Sequence, residues 1–85
     1  MKQFIYTEKY DIINVDSIKY IFINSLSPYR HVITASLNKD DDGVCIIPIQ
    51  NYSSEEDARK AMDEIMVALA NGRSYSVRPV CENND

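Results

Sequence analysis

The chain has 85 residues, 45% hydrophobic and 26% charged, with only 2 glycines and 3 prolines, a balance that excludes collagenous and disordered classes. Nothing of this length divides into two cores, so a single domain is expected over residues 1–81, followed by a disordered acidic tail at 82–85. The net charge of −4 and the scatter of the 9 basic residues leave no clustered cationic face, so neither direct nucleic-acid binding nor attraction to an anionic membrane is expected.

The N-terminus carries charge at Glu8 and Lys9, too early for the apolar stretch of a secretory signal. No apolar run approaches the roughly 18 residues that a membrane-spanning helix needs. Cys45 lies within an apolar run, and buried free cysteine is a common core residue, so Cys45 and Cys81 are read as reduced. These features together point to a cytoplasmic protein.

Taken in chain order, the first half reads as strands. Residues 3–6 and 11–15 are short apolar runs, separated by Thr7-Glu8-Lys9 as in a tight hairpin or bent edge. After a turn at Asn14-Val15-Asp16-Ser17, residues 18–23 are apolar on both faces, as a central strand with little solvent exposure would be. Residues 24–28 are turn formers and should break it. Residues 31–37 alternate cleanly, with His31, Ile33, Ala35 and Leu37 facing one way. A polar hairpin loop is expected at 38–43, returning as a strand over 44–50, where Pro48 implies a sheet edge or a bulge.

The period then changes. Ser53-Ser54-Glu55-Glu56 offers a capping box with Ser53 as N-cap, and Glu55, Glu56 and Asp57 suit the positive end of a helix. Ala58, Ala61, Met62, Ile65 and Leu69 form one helical stripe, and Asn71-Gly72 is a stop. One more short strand is expected over 75–80. The fold class is therefore α+β: an antiparallel sheet of four to five strands, with a C-terminal helix over 54–70 packed on one face through Ala58, Met62, Ile65 and Leu69.

Few residues suggest chemistry. Asn38, Asp40, Asp42 and Gly43 resemble the start of a calcium loop, yet Ile49 stands where the bidentate glutamate belongs and the flanks read as strands. His31 is the only histidine, and two cysteines cannot complete a zinc site with it. Nothing in the sequence places Ser or Cys beside His31 with an orienting carboxylate, so it reads as packed or hydrogen-bonded at the sheet. Glu55 with Arg59, and Glu56 with Lys60, are helical pairs four residues apart on a solvated face. No catalytic residue, metal or cofactor is assigned, and the chain is not expected to be an enzyme.

Binding is better supported. With the helix over Ile21, Ile23, Ile33 and Ile47, the other sheet face would expose Tyr20, Phe22, Val32, Val44 and Ile46, a patch that needs a cover. A homo-oligomer would supply one and would support a marginally stable small domain. Asp40, Asp41, Asp42, Glu55 and Glu56 are the candidate acidic contact surface, which would imitate a phosphate backbone toward a nucleic-acid-binding protein. The alternative is a small-ligand or metal-binding regulatory domain that uses the Asp40, Asp41 and Asp42 loop.

The segments INVDSIKYIFI (residues 13–23), HVITASL (31–37) and GVCIIPIQNYSSEEDARKAMDEIMVALANG (43–72) together resemble small uncharacterised single-domain proteins of bacteria, phages and mobile elements. Those proteins pair a meander of strands with a C-terminal helix. At greater distance the chain is similar to flagellar FlbD-type small proteins. The resemblance spans about residues 10 to 72 and lies in the turn before the strand, the Ser-Glu-Glu helix start and the Asn-Gly helix end. It maps no catalytic residue and implies action through a protein partner, for instance as a phage- or element-encoded inhibitor of a host protein.

Overall fold

The computed structural model of the chain describes residues 2–37 and 45–77. The loop at 38–43, Val44, the far end of the last expected strand at 78–80, Cys81 and the tail at 82–85 lie outside the described residues. The elements are β1 (Phe4–Tyr6), β2 (Ile12–Asn14), a short 3₁₀ turn (Val15–Ser17), β3 (Ile18–Ser27), β4 (Arg30–Leu37), β5 (Cys45–Tyr52), α1 (Glu55–Ala70) and β6 (Tyr75–Ser76).

The α+β class holds, but the strands do not form one sheet of four or five. Among the described residues they form two sheets of three, ordered β2-β1-β6 and β3-β4-β5. In the first, β1 pairs antiparallel with β2 (Ile5 opposite Ile13) and parallel with β6 (Ile5 opposite Tyr75). The 3₁₀ turn separates β2 from β3, with the Asn14 side chain accepting the Asp16 amide at 3.0 Å. The second sheet is an antiparallel meander. The Glu8 amide joins the two, donating to the Ile49 carbonyl at 2.9 Å.

Two sequence expectations for β3 require correction. It continues beyond Ile23, because Asn24 and Ser25 pair with Val32 and His31, so only Pro28 and Tyr29 make the turn. Ladder pairing with β4 overrides the turn propensity of Asn24-Ser25. It is also an edge strand: among the described residues, β4 is its only strand partner. The central strand is β4, with residues 31–36 all buried.

Helix α1 lies over the odd-numbered face of β4. Ile33 and Ala35 join Ile49, Ala58, Ala61 and Ile65 in the core, together with Ile5 and Ile13 from the first sheet. Ile21, Ile23, Ile47, Met62 and Leu69 pack around them, as the alternation and the helical stripe require. Pro48 lies at both an edge and a bulge. Thr34 faces Pro48 while Ile33 faces Gln50, which leaves Ile49 as an extra residue, buried in the core.

The N-cap of α1 is Ser54, one residue later than the sequence suggests, and its hydroxyl accepts the Asp57 amide at 3.1 Å. The C-terminus closes as a Schellman motif around Gly72 at φ +73, with Arg73 N–H to the Ala68 carbonyl at 2.9 Å and Gly72 N–H to the Leu69 carbonyl at 3.1 Å. The Gln3 side-chain amide donates to the Leu69 and Arg73 carbonyls, each at 3.0 Å, which ties the chain start to the helix end.

Ser54→Ala should lower stability by about 1 kcal/mol in urea unfolding, and Ser53→Ala by less than half of that. Ile33→Ala, at a fully buried position, should cost about 3 kcal/mol with an unchanged m-value.

Candidate protein-interaction surface

The face of the β3-β4-β5 sheet turned away from α1 carries Tyr20 and Phe22 from β3, Val32, Thr34 and Ser36 from β4, and Ile46 and Pro48 from β5. Tyr20 and Ile46 are each 55% exposed, and Phe22 is half-buried with its ring centroid 5.5 Å from that of Tyr20. Val32, expected in the patch, is only 8% exposed. Flanked by a strand on each side, it forms floor rather than surface, as do Thr34 and Ser36. Val44 lies outside the described residues. The exposed apolar groups therefore stand on the two rims of a trough, with small polar side chains between them.

A second apolar surface, not singled out from the sequence, adjoins the β3 rim. Ile18, Tyr20 and Ile21 of β3 and Met62, Met66 and Leu69 of α1 line an open groove between strand and helix. Met66 is 62% exposed. The signal was present: from Ile65 to Ala70 the helix is apolar at every position, wider than the stripe that packs on the sheet.

The acidic surface is only partly described, since Asp40, Asp41 and Asp42 fall outside the described residues. Glu55 bonds Arg59 at 2.8 Å, with both side chains exposed, so the pair adds little to stability. Glu56 and Lys60 form no salt bridge among the described residues. Glu55, Glu56, Arg59, Lys60 and Asp63 share one shallow surface depression. The helix face is thus of mixed charge, and the acids of its first turn offset the helix dipole. Among the described residues no group of three or more His, Cys, Asp or Glu side chains is arranged to hold a metal. Among the same residues no helix is long and apolar enough to cross a membrane.

His31 is buried and braces the β3-β4 hairpin. Its Nε2 lies 3.0 Å from the Pro28 carbonyl, which can only accept, so Nε2 carries the proton. Nδ1, at 2.8 Å from Ser25 Oγ, then accepts from that hydroxyl. The structure therefore does place a serine beside His31, which a strand ending at Ile23 had hidden. The group orienting the imidazole is a backbone carbonyl, however, where a nucleophile's base would use a carboxylate. The contact reads as a clasp.

Two phenols close the end of the core. The Tyr52 hydroxyl donates to Gln50 Oε1, and the Tyr75 hydroxyl to Glu64 Oε1 at 3.3 Å. Burial, reinforced by Tyr75, Glu64, Glu8 and Asp57, pushes the Tyr52 phenol up to about 12. Burial and then Glu64 raise Tyr75 as well. Both act as neutral hydrogen-bond donors and not as bases.

Comparison with protein-family models, with curated proteins and with solved structures finds no match for this chain.

Unfolded Tyr52 should ionise near its ordinary value of 10.0, while the folded phenol holds its proton to about 12. Its contribution to stability is then complete below pH 10 and is lost as pH rises through about 12. Tyrosinate absorbance titrated on wild type and Tyr52→Phe should show one fewer late-titrating phenol in the variant, with stability falling less steeply above pH 10. His31→Ala should cost about 1–3 kcal/mol in urea unfolding, by stripping the Ser25 and Pro28 partners and leaving a gap at the hairpin.

Proposed function

We propose that this protein is a non-enzymatic protein-interaction module that self-associates, with a regulatory role exerted through a protein partner. The observation that carries this reading is the continuity of exposed apolar surface across the β3 side of the molecule. It runs from Tyr20 and Phe22 on the sheet to Met66 on the helix. A chain of this size gains from a partner that removes such surface from water. The lone histidine is engaged as a hairpin clasp, which favours an interaction role over a hydrolytic one. An inhibitor encoded by a phage or mobile element and directed at a host protein is one form such a module would take. Locating it in the cytoplasm belongs to the same proposal.

Light scattering over a concentration series should give a mass of twice 9.8 kDa or a larger discrete multiple. A single monomer mass across the whole series would contradict self-association and leave the apolar surface to a different protein.

A further inference from the structure

Resting on that reading of self-association, we propose that the free edge of β3 pairs antiparallel with β3 of a second copy, about a two-fold axis near Phe22. The result is a continuous six-stranded sheet, β5-β4-β3-β3-β4-β5, with both helices on the same side.

The two edges of the three-stranded meander are unlike. The outer edge of β5 is closed: the Ile49 carbonyl takes the Glu8 amide at 2.9 Å, Asn51 N–H donates to Glu8 Oε1 at 3.0 Å, and Pro48 has no amide proton. On the outer edge of β3, among the described residues, no such closure exists. Eight of its ten residues pair with β4, and among the described residues that is the one side on which the strand is paired. Irregularities at Lys19 and Leu26 bound a regular run over residues 20–25. Among the described residues, that run presents unpaired backbone groups, so what fits against it is another extended strand.

The composition of β3 indicates which strand. Ile18, Ile21 and Ile23 point toward the core side, and Tyr20 and Phe22 toward the outer face. Tyr20 and Phe22 thus stand at the rim of the sheet beside the β3 edge, where a further strand would cover apolar surface on both faces. A partner strand must offer apolar side chains on both of its faces; among the described residues β3 and β5 both do so at an edge of the meander, and the β5 edge is already engaged by Glu8 at Ile49 and Asn51, which leaves β3. Antiparallel pairing about a two-fold satisfies both free edges with one set of contacts. It also sets Phe22 beside its symmetry mate and Tyr20 opposite Asn24, rows over which cross-strand pairs stabilise a sheet.

Charge points the same way. Each copy carries a net charge of −4, so two copies repel over most approaches. Residues 20–25 carry no charge, and Lys19 is the only charged residue in β3.

The test is a charge swap at exposed positions of the edge. A variant with Tyr20→Lys and Asn24→Lys places like charges opposite one another across the axis, as does one with Tyr20→Glu and Asn24→Glu. Circular dichroism checks that both remain folded. Each variant alone should be monomeric at concentrations where wild type is fully dimeric, and mixing the two should restore a dimer of one copy each. Ile46→Lys, on the β5 rim, should leave the dimer intact. A wild-type dimer that survives both double substitutions would overturn pairing through β3 while self-association stands, as would loss of the dimer in Ile46→Lys alone. A wild type that is monomeric throughout would overturn both readings.

Discussion

The structure depends on the burial of one strand on both faces. Residues 31–36 of β4 are all buried, although alternate side chains point in opposite directions. The inward row, Ile33 and Ala35, lies under α1 at 0% exposure. The outward row, Val32, Thr34 and Ser36, has no helix above it among the described residues and is covered by the neighbouring strands. This arrangement asks for small outward side chains on β4 and larger ones on β3 and β5. Thr34 and Ser36 between Tyr20, Phe22 and Ile46 meet that requirement. Small residues also serve the other interface, where Ala58 and Ala61 let the helix approach Ile33 and Ala35 closely.

Much of this was legible in the sequence because it follows from period and capping. Alternation over residues 31–37 identified the inward row, and the spacing of Ala58, Met62, Ile65 and Leu69 identified the helix face. Asn71-Gly72 ended the helix as read. The N-cap fell one residue late, since Ser53 and Ser54 are equivalent as hydroxyl donors and acceptors. What marks Ser54 is its extended backbone and the bond its hydroxyl accepts from the Asp57 amide, neither of which shows in the sequence. Strand order was not legible: a sheet assignment needs long-range pairing, and β6 reaches β1 across some seventy residues. The clasp between Ser25 and His31 was hidden for a related reason. Asn24-Ser25 reads locally as a turn, and only the ladder with β4 makes it strand.

The candidate surface was half legible. Tyr20, Phe22 and Ile46 stand where alternation puts them, whereas Val32 loses its exposure to flanking strands that a single segment does not reveal. The conflict between pattern and position in β3 carries the most information. Local pattern and global placement ordinarily agree in a natural sequence, and departures concentrate where function resides. Here a two-sided apolar strand stands at an edge, while the opposite edge is closed by Glu8 and Pro48. Among the described residues, one side of the sheet is finished and the other is left open.

Residue-resolved amide hydrogen exchange over β3 tests this account most directly. In an antiparallel edge strand, alternate amides are bonded to the neighbour and the rest face water. The account predicts that in concentrated protein every amide over residues 20–25 exchanges slowly, and that every second one becomes fast on dilution to monomer. An alternating slow and fast pattern that persists at all concentrations in an assembled protein would contradict it.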